Sequence, residues 1–181
     1  MILIDVIDEN GNLTGAAKTK PEIHEQGLWH RAAHIWIYNS NGEVLLQLRS
    51  KDKDSHPGLW GGSASGHLDS GETPEQAAVR EMREEISLSV SPDQLKLVGT
   101  IKESTSIPEK GWYNNEIDYI YLFKFDGDVG SLSMDDGEVE KLEFVPIDKF
   151  EQEINDAETC KKYVPAGDYY QMIINKIREN L

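Results

Sequence analysis

Residues 66–88 read GHLDSGETPEQAAVREMREEISL. The stretch announces a helix: Thr73 is a good N-cap, Pro74 suits the first helical position and Gln76 completes a capping-box pattern. Ala78, Val79, Met82 and Ile86 then recur at helical spacing and should face a core. Glu81, Glu84 and Glu85 stand at i, i+3 and i+4, so their carboxylates project from neighbouring positions largely away from that apolar side. Like charges so placed destabilise an isolated helix by roughly 0.2–0.5 kcal/mol per pair. Only Arg80 and Arg83 are close by in sequence to offset them. A hard divalent cation would do so, because magnesium prefers oxygen ligands and uses a few carboxylates together with substrate phosphates. Spacing alone leaves an ordinary solvated acidic face as the alternative.

Outward from this helix, the chain reads as short strands mixed with a few helices. ILIDVI (2–7) followed by D-E-N-G-N suggests an opening hairpin. AAHIWIY (32–38) and EVLLQL (43–48) are strand-like and flank N-S-N-G, a strong hairpin turn. A loop rich in charge, Ser, Pro and Gly covers 50–71. Strands are expected near 95–101, 117–125 and 141–146, and helices near 148–155 and 168–179. Hairpins without regular β-α-β alternation point to an α/β sandwich with a mixed sheet in one domain.

The bulk properties narrow the function. Eighteen Lys and Arg against 33 Asp and Glu give −15 over 181 residues, a balance that repels a phosphate backbone and argues against nucleic acid as a partner. A phosphate-bearing substrate would therefore need cations or a local basic patch to mediate. No apolar run approaches the roughly 20 residues of a membrane-spanning helix, and MILIDVIDEN lacks the basic start of a signal peptide. Cys160, the sole cysteine, permits no internal disulfide. A cytoplasmic location is expected, without membrane association, as a monomer or homodimer.

The whole stretch resembles the Nudix box: Gly, five residues, Glu, seven residues, Arg-Glu, an aliphatic position, any residue, Glu-Glu, any residue, Gly, and a final aliphatic position. Gly66, Glu72, Arg80, Glu81, Met82, Glu84, Glu85 and Leu88 match, while Ser87 replaces the second glycine. That glycine would close the helix in a left-handed C-cap, a conformation costlier for Ser, so the departure concerns helix termination more than chemistry. The resemblance implies a Nudix-type α/β/α sandwich with a mixed sheet: one domain over 1–181, with an N-terminal hairpin (1–20), the box (66–88) and C-terminal helices (148–181). It implies Mg2+, or Mn2+, held by Glu81, Glu84, Glu85 and a backbone carbonyl at Gly66, with one of these glutamates or a nearby one serving as base. The expected reaction is hydrolysis of a diphosphate linkage in a small, nucleoside-type organic diphosphate. Glu72 and Arg80 match a structural pair of the box. In this family a later glutamate often adds a base or ligand, and DDGEVE (135–140) offers Glu138 and Glu140. An exposed acidic turn is the alternative there, and Glu138 is the catalytic candidate.

Residues 27–68, GLWHRAAHIWIYNSNGEVLLQLRSKDKDSHPGLWGGSASGHL, are similar to type I isopentenyl diphosphate isomerases, which share the Nudix fold, and the likeness extends over roughly 2–125. It matches His24, His30, His67 and Glu116 to metal ligands, and Lys20, Arg49 and Lys53 to diphosphate-gripping positions. Two positions fail: Ser65 replaces the catalytic cysteine and Asn114 replaces a second glutamate. A serine hydroxyl is a much weaker acid than a thiol, so isomerisation is not expected. Imidazole with carboxylate would suit zinc, manganese or iron better than magnesium, but His30 and His67 fit loop positions satisfied by backbone equally well. His34 reads as a core histidine. Arg49, Lys51 and Lys53 form a rare basic cluster, open either to phosphate or to salt bridges with Asp52 and Asp54. Trp29, Trp36, Trp60 and Trp112 could stack on a base or line an apolar pocket, with Trp36 better suited to the core. A non-catalytic nucleotide-binding domain is the remaining reading, which the intact box glutamates oppose.

Overall fold

Splayed strands set the architecture of this chain. The structure, a computed structural model, describes residues 2–53, 55–134 and 137–181. Strands β3 (Trp29–Tyr38) and β4 (Glu43–Arg49) leave their turn as an antiparallel hairpin but pair only at Ile37↔Leu45 and Tyr38↔Val44. Beyond that they part, and each freed edge finds another partner. Strand β6 (Ala64–His67) pairs with Ala32–Ile35 of β3, while β5 (Trp60–Gly61) pairs with Gln47 and Leu48 of β4. The helix α2 (Pro74–Ile86) follows directly.

On its other edge β3 runs parallel to β8 (Trp112–Lys124), which is antiparallel to β7 (Lys96–Ile107). Strand β9 (Val139–Pro146) closes the far edge against β4. The result is a seven-stranded mixed sheet. A separate two-stranded hairpin, β1 (Ile4–Ile7) and β2 (Leu13–Lys18), precedes it, joined through helix α1 (Lys20–Gln26). Helices α3 (Ile147–Asn155) and α4 (Tyr169–Arg178) end the chain.

Because side chains alternate along a strand, β3 serves two layers. Ala33, Ile35 and Ile37 pack against Ala77, Ala78, Met82 and Ile86 of α2. Trp36 and Tyr38 pack on the opposite face with Phe150 of α3 and Ile173, Ile174 and Ile177 of α4. The expected α/β/α sandwich is thereby formed. Among the described residues, no helix is long and apolar enough to cross a membrane.

Several expectations need correction. Ala77 replaces Val79 on the buried face of α2, since Val79 is only half-buried. The 50–71 segment is no continuous loop, because it contains β5 and β6. Strand β8 begins at Trp112, five residues before the expected start, and β7 runs on to Ile107. Helix α1 lies partly inside the expected 1–20 hairpin region; its Thr19 N–H donates to Glu22 Oε2 at 3.0 Å, and Gly27 closes it at φ 61°.

Candidate active site

Helix α2 buries one side and turns its glutamates to a cleft of about 660 Å³. Glu81 lies against Gly66 so closely that a Cβ at residue 66 would overlap its carboxylate, which explains the glycine. Arg80 ties helix to loop. Its Nη1 donates to Glu81 Oε1 (2.6 Å) and Glu84 Oε2 (3.2 Å), its Nε and Nη2 both reach Glu72 (2.9 Å), and Nη2 also donates to the His67 carbonyl (2.8 Å). The sequence-expected Glu72–Arg80 pair is therefore present. Ser87 caps the helix in the left-handed region at φ 56°, as the replaced glycine would.

The three box glutamates differ in setting. Glu84 is exposed, whereas Glu85 is buried. Glu85 Oε2 accepts from Gln47 Nε2 (2.9 Å) and the Ser65 N–H (3.2 Å), leaving Oε1 toward Lys53 Nζ at 3.9 Å. Burial raises the Glu85 carboxyl, with Lys53 opposing. At Glu81 burial dominates over the Arg80 charge, and with Glu85 adding repulsion the carboxyl is pushed up to about 7. Gln47 escaped the sequence reading, although a polar residue inside EVLLQL was a usable signal.

Lys20, Arg49, Lys53 and Glu138 also line the cleft. Lys53 pairs with Glu138, and burial lowers its ammonium from the usual value. Arg49 donates from Nη2 to the Ser55 carbonyl at 2.9 Å rather than pairing with Asp52. Lys51 and Glu140 are exposed and do not line the cleft. Asp54, Asp135 and Asp136 lie outside the described residues.

The histidines converge as a second cluster. Ring nitrogens of His24, His30 and His67 come within 4.8 Å of one another. His24 Nδ1 is bonded to the Lys20 carbonyl (2.8 Å) and His30 Nδ1 to the Leu28 carbonyl (2.9 Å), so each Nδ1 carries a hydrogen. Neither His30 nor His67 is a loop residue as the alternative expected: they lie on β3 and β6, and His30 is bonded to backbone while its ring adjoins the other two. His30 Nε2 and His67 Nε2 lie 3.1 and 3.0 Å from Glu116 Oε1. Burial would raise the Glu116 carboxyl, but the bonds from His30 and His67 hold it well below the usual range. Burial lowers His67 to about 4. Trp112 stacks on His24 with centroids 5.1 Å apart, and Asn114 Nδ2 donates to Glu116 Oε2 at 2.5 Å while its Oδ1 has no partner.

His34, expected in the core, instead lines the cleft beside Tyr169 of α4. Trp36 is buried as expected, and its indole N–H donates to the Tyr169 hydroxyl at 2.8 Å.

With the geometry in place, comparison with known proteins gives the class. The NUDIX domain family model matches residues 28–166. The chain belongs to the Nudix hydrolase family. It is 31% identical over 171 residues to Nudix hydrolase 3 of Arabidopsis thaliana, covering 91% of this chain but only 22% of that longer protein. A Nudix hydrolase of Clostridium acetobutylicum is 32% identical, covering 81% of this chain and 70% of the relative. An isopentenyl-diphosphate Delta-isomerase of Serratia proteamaculans is 35% identical, covering 69% and 67%. Among solved structures, a Deinococcus radiodurans protein superposes at TM-score 0.67 with 20% identity, covering 96% of this chain and 98% of its own. The NUDIX domain of Shewanella oneidensis NrtR, in complex with ADP ribose, superposes at 0.56 with 17% identity, covering 83% and 86%.

Proposed function

We propose that this chain hydrolyses a diphosphate linkage in a small, nucleoside-type organic diphosphate with Mg2+, Mn2+ being a substitute. One observation carries the reading: the acidic box face and the Arg49, Lys53 side chains line the same cleft. The donor set fits a hard cation, because Glu81, Glu84, Glu85 and the Gly66 carbonyl offer only oxygen and the crowded carboxylates need positive charge. Magnesium held by Glu81, Glu84, Glu85 and the Gly66 carbonyl would supply positive charge against the phosphate oxygens and make the attacking water more acidic. The protein's own part follows from the geometry. Gly66 lets Glu81 approach, Gln47 and Ser65 fix Glu85, and Arg80 keeps loop and helix in register. Lys20, Arg49 and Lys53 hold the diphosphate. Glu138, at the cleft edge beside Lys53, accepts the water's proton.

His24, His30, His67 and Glu116 would hold a second cation, of the kind that favours imidazole and carboxylate. This cluster and the isomerase relatives favour isomerisation as the second reading. Ser65 opposes it, since a hydroxyl, a much weaker acid, stands where the thiol that moves the proton belongs. The test is a panel of organic diphosphates with magnesium, scored for phosphate-containing products, beside an isomerase assay on isopentenyl diphosphate. Hydrolysis lost in Glu84→Gln with an unchanged melting curve supports the proposal. Full turnover in that variant, or robust isomerisation by the unmodified chain, overturns it.

A further inference from the structure

The diphosphate reading leaves one polar sheet face of the cleft without a part in gripping phosphate. His34 of β3, Glu103 and Thr105 of β7, and Asn114 and Glu116 of β8 line that face. Register sets Glu103 opposite Glu116 and Ile101 opposite Asp118, so alternation along β8 puts Asp118 on the same side as Glu116. Asp118 is wholly buried, and neither carboxyl oxygen has a hydrogen-bond partner. His34 Nε2 is 3.8 Å from it. Because Tyr169 accepts the Trp36 indole hydrogen, its own hydroxyl is directed to His34 Nδ1 at 3.1 Å. This assigns the imidazole hydrogen to Nε2, on the Asp118 side.

The Glu103 side chain makes no hydrogen bond or ion pair with a described residue. Three cationic side chains of the cleft are engaged elsewhere: Arg80 with Glu72, Glu81 and Glu84, Lys53 with Glu138, and Arg49 with Ser55. Trp112 and Tyr169 also line the cleft. A hydrocarbon placed here would strip water from Glu103 and return nothing. A hydroxyl would return one neutral hydrogen bond. An ammonium returns up to three donors and charge-assisted bonds roughly twice as strong as neutral ones.

We propose that this face of the cleft takes a protonated amine, so that the substrate is a diphosphate whose organic group carries an ammonium bound by Glu103, with Asp118 and His34 behind it. The proposal rests on the diphosphate reading of the same cleft. Calorimetric titration in magnesium tests it with methylenediphosphonate and its esters, whose P–C–P bridge resists hydrolysis. The esters bear ω-amino, ω-hydroxy or plain alkyl chains of about two to six carbons. At the best chain length the amino ester binds at least about tenfold tighter than its hydroxy and alkyl counterparts, a difference of about 1.4 kcal/mol. Glu103→Gln removes that preference and leaves the affinity for unsubstituted methylenediphosphonate unchanged; Glu103→Asp keeps part of it. Equal or weaker binding of the amino esters overturns the proposal, as does a preference undiminished in Glu103→Gln. So does a Glu103→Gln variant that loses Mn2+ binding at the histidine cluster and keeps amine selectivity. Failure of unsubstituted methylenediphosphonate to bind defeats the diphosphate reading itself, an outcome separate from binding without selectivity.

Discussion

Replacing Gly66 with alanine should inactivate the enzyme through Glu81 rather than through the fold. A Cβ at residue 66 would overlap the Oε1, Cδ and Oε2 atoms of Glu81 at once. Gly66 lies outside the left-handed region, so the backbone itself tolerates alanine. The obstacle is the end of a side chain, which can retreat. Restoring normal contact moves the carboxylate by about 1 Å and strains its 2.6 Å bond to Arg80. A displacement of that size at a catalytic group costs about a hundredfold in rate, or about 2.7 kcal/mol of barrier. Overpacking costs a further 1–3 kcal/mol, roughly, of stability. The assay is a double-mutant cycle, with turnover in magnesium and thermal melting measured for Gly66→Ala, Glu81→Ala and the pair. If the clash is the cause, the double variant melts above Gly66→Ala and turns over no more slowly than Glu81→Ala. Near-normal turnover in Gly66→Ala, or strictly additive losses, would refute the reasoning.

Other outcomes follow from the same geometry. Ser87→Gly removes a left-handed φ of 56° from a side-chain-bearing residue and should stabilise the protein by about 0.5–1 kcal/mol, raising Tm by about 1–4 °C in a melting scan. His67→Ala should abolish tight binding of one zinc or manganese equivalent while box-dependent magnesium activation persists; unchanged metal content by elemental analysis would dismiss the histidine site. Asp5 accepts from Ser70 Oγ (2.6 Å) and the Gly71 N–H (2.9 Å), so Asp5→Ala should cost about 2 kcal/mol in denaturant titrations. Burial acts to raise the Asp5 carboxyl, but these bonds and Arg31 lower it overall. Its stabilisation is therefore present above the unfolded value near 3.8 and lost as pH falls through the lower folded value, so the variant's deficit should shrink in strong acid.

The sequence exposes what is local and conceals what depends on strand pairing. Thr73, Pro74 and Gln76 declare the start of α2 because a cap is a contact between neighbours. By contrast ASGH of β6 has no apolar alternation, and its strand character comes wholly from the edge that β3 leaves open. WYNNE at the start of β8 reads as loop because its inward side chains, Asn114 and Glu116, face a polar cleft instead of a core. The box glutamates were legible as a pattern, and the histidine cluster through its resemblance to the isomerases. Gln47, Tyr169 and Asp118 were not, since their roles require knowing which side of a strand meets which neighbour. Helix α1 offered a signal that went unread, Thr19 and Glu22 as a capping box around Pro21.

The pairing of His30 with Glu116 has a kinetic consequence. These residues are 86 positions apart and meet only when β8 docks in parallel against β3. Such a closure forms late, after its large chain entropy has been overcome. The histidine cluster can therefore not act as a seed for folding, as metal sites do in very small domains. A cation bound there would act as a latch on the finished sheet: refolding should proceed at the same rate with or without it, while escape from the native state should slow.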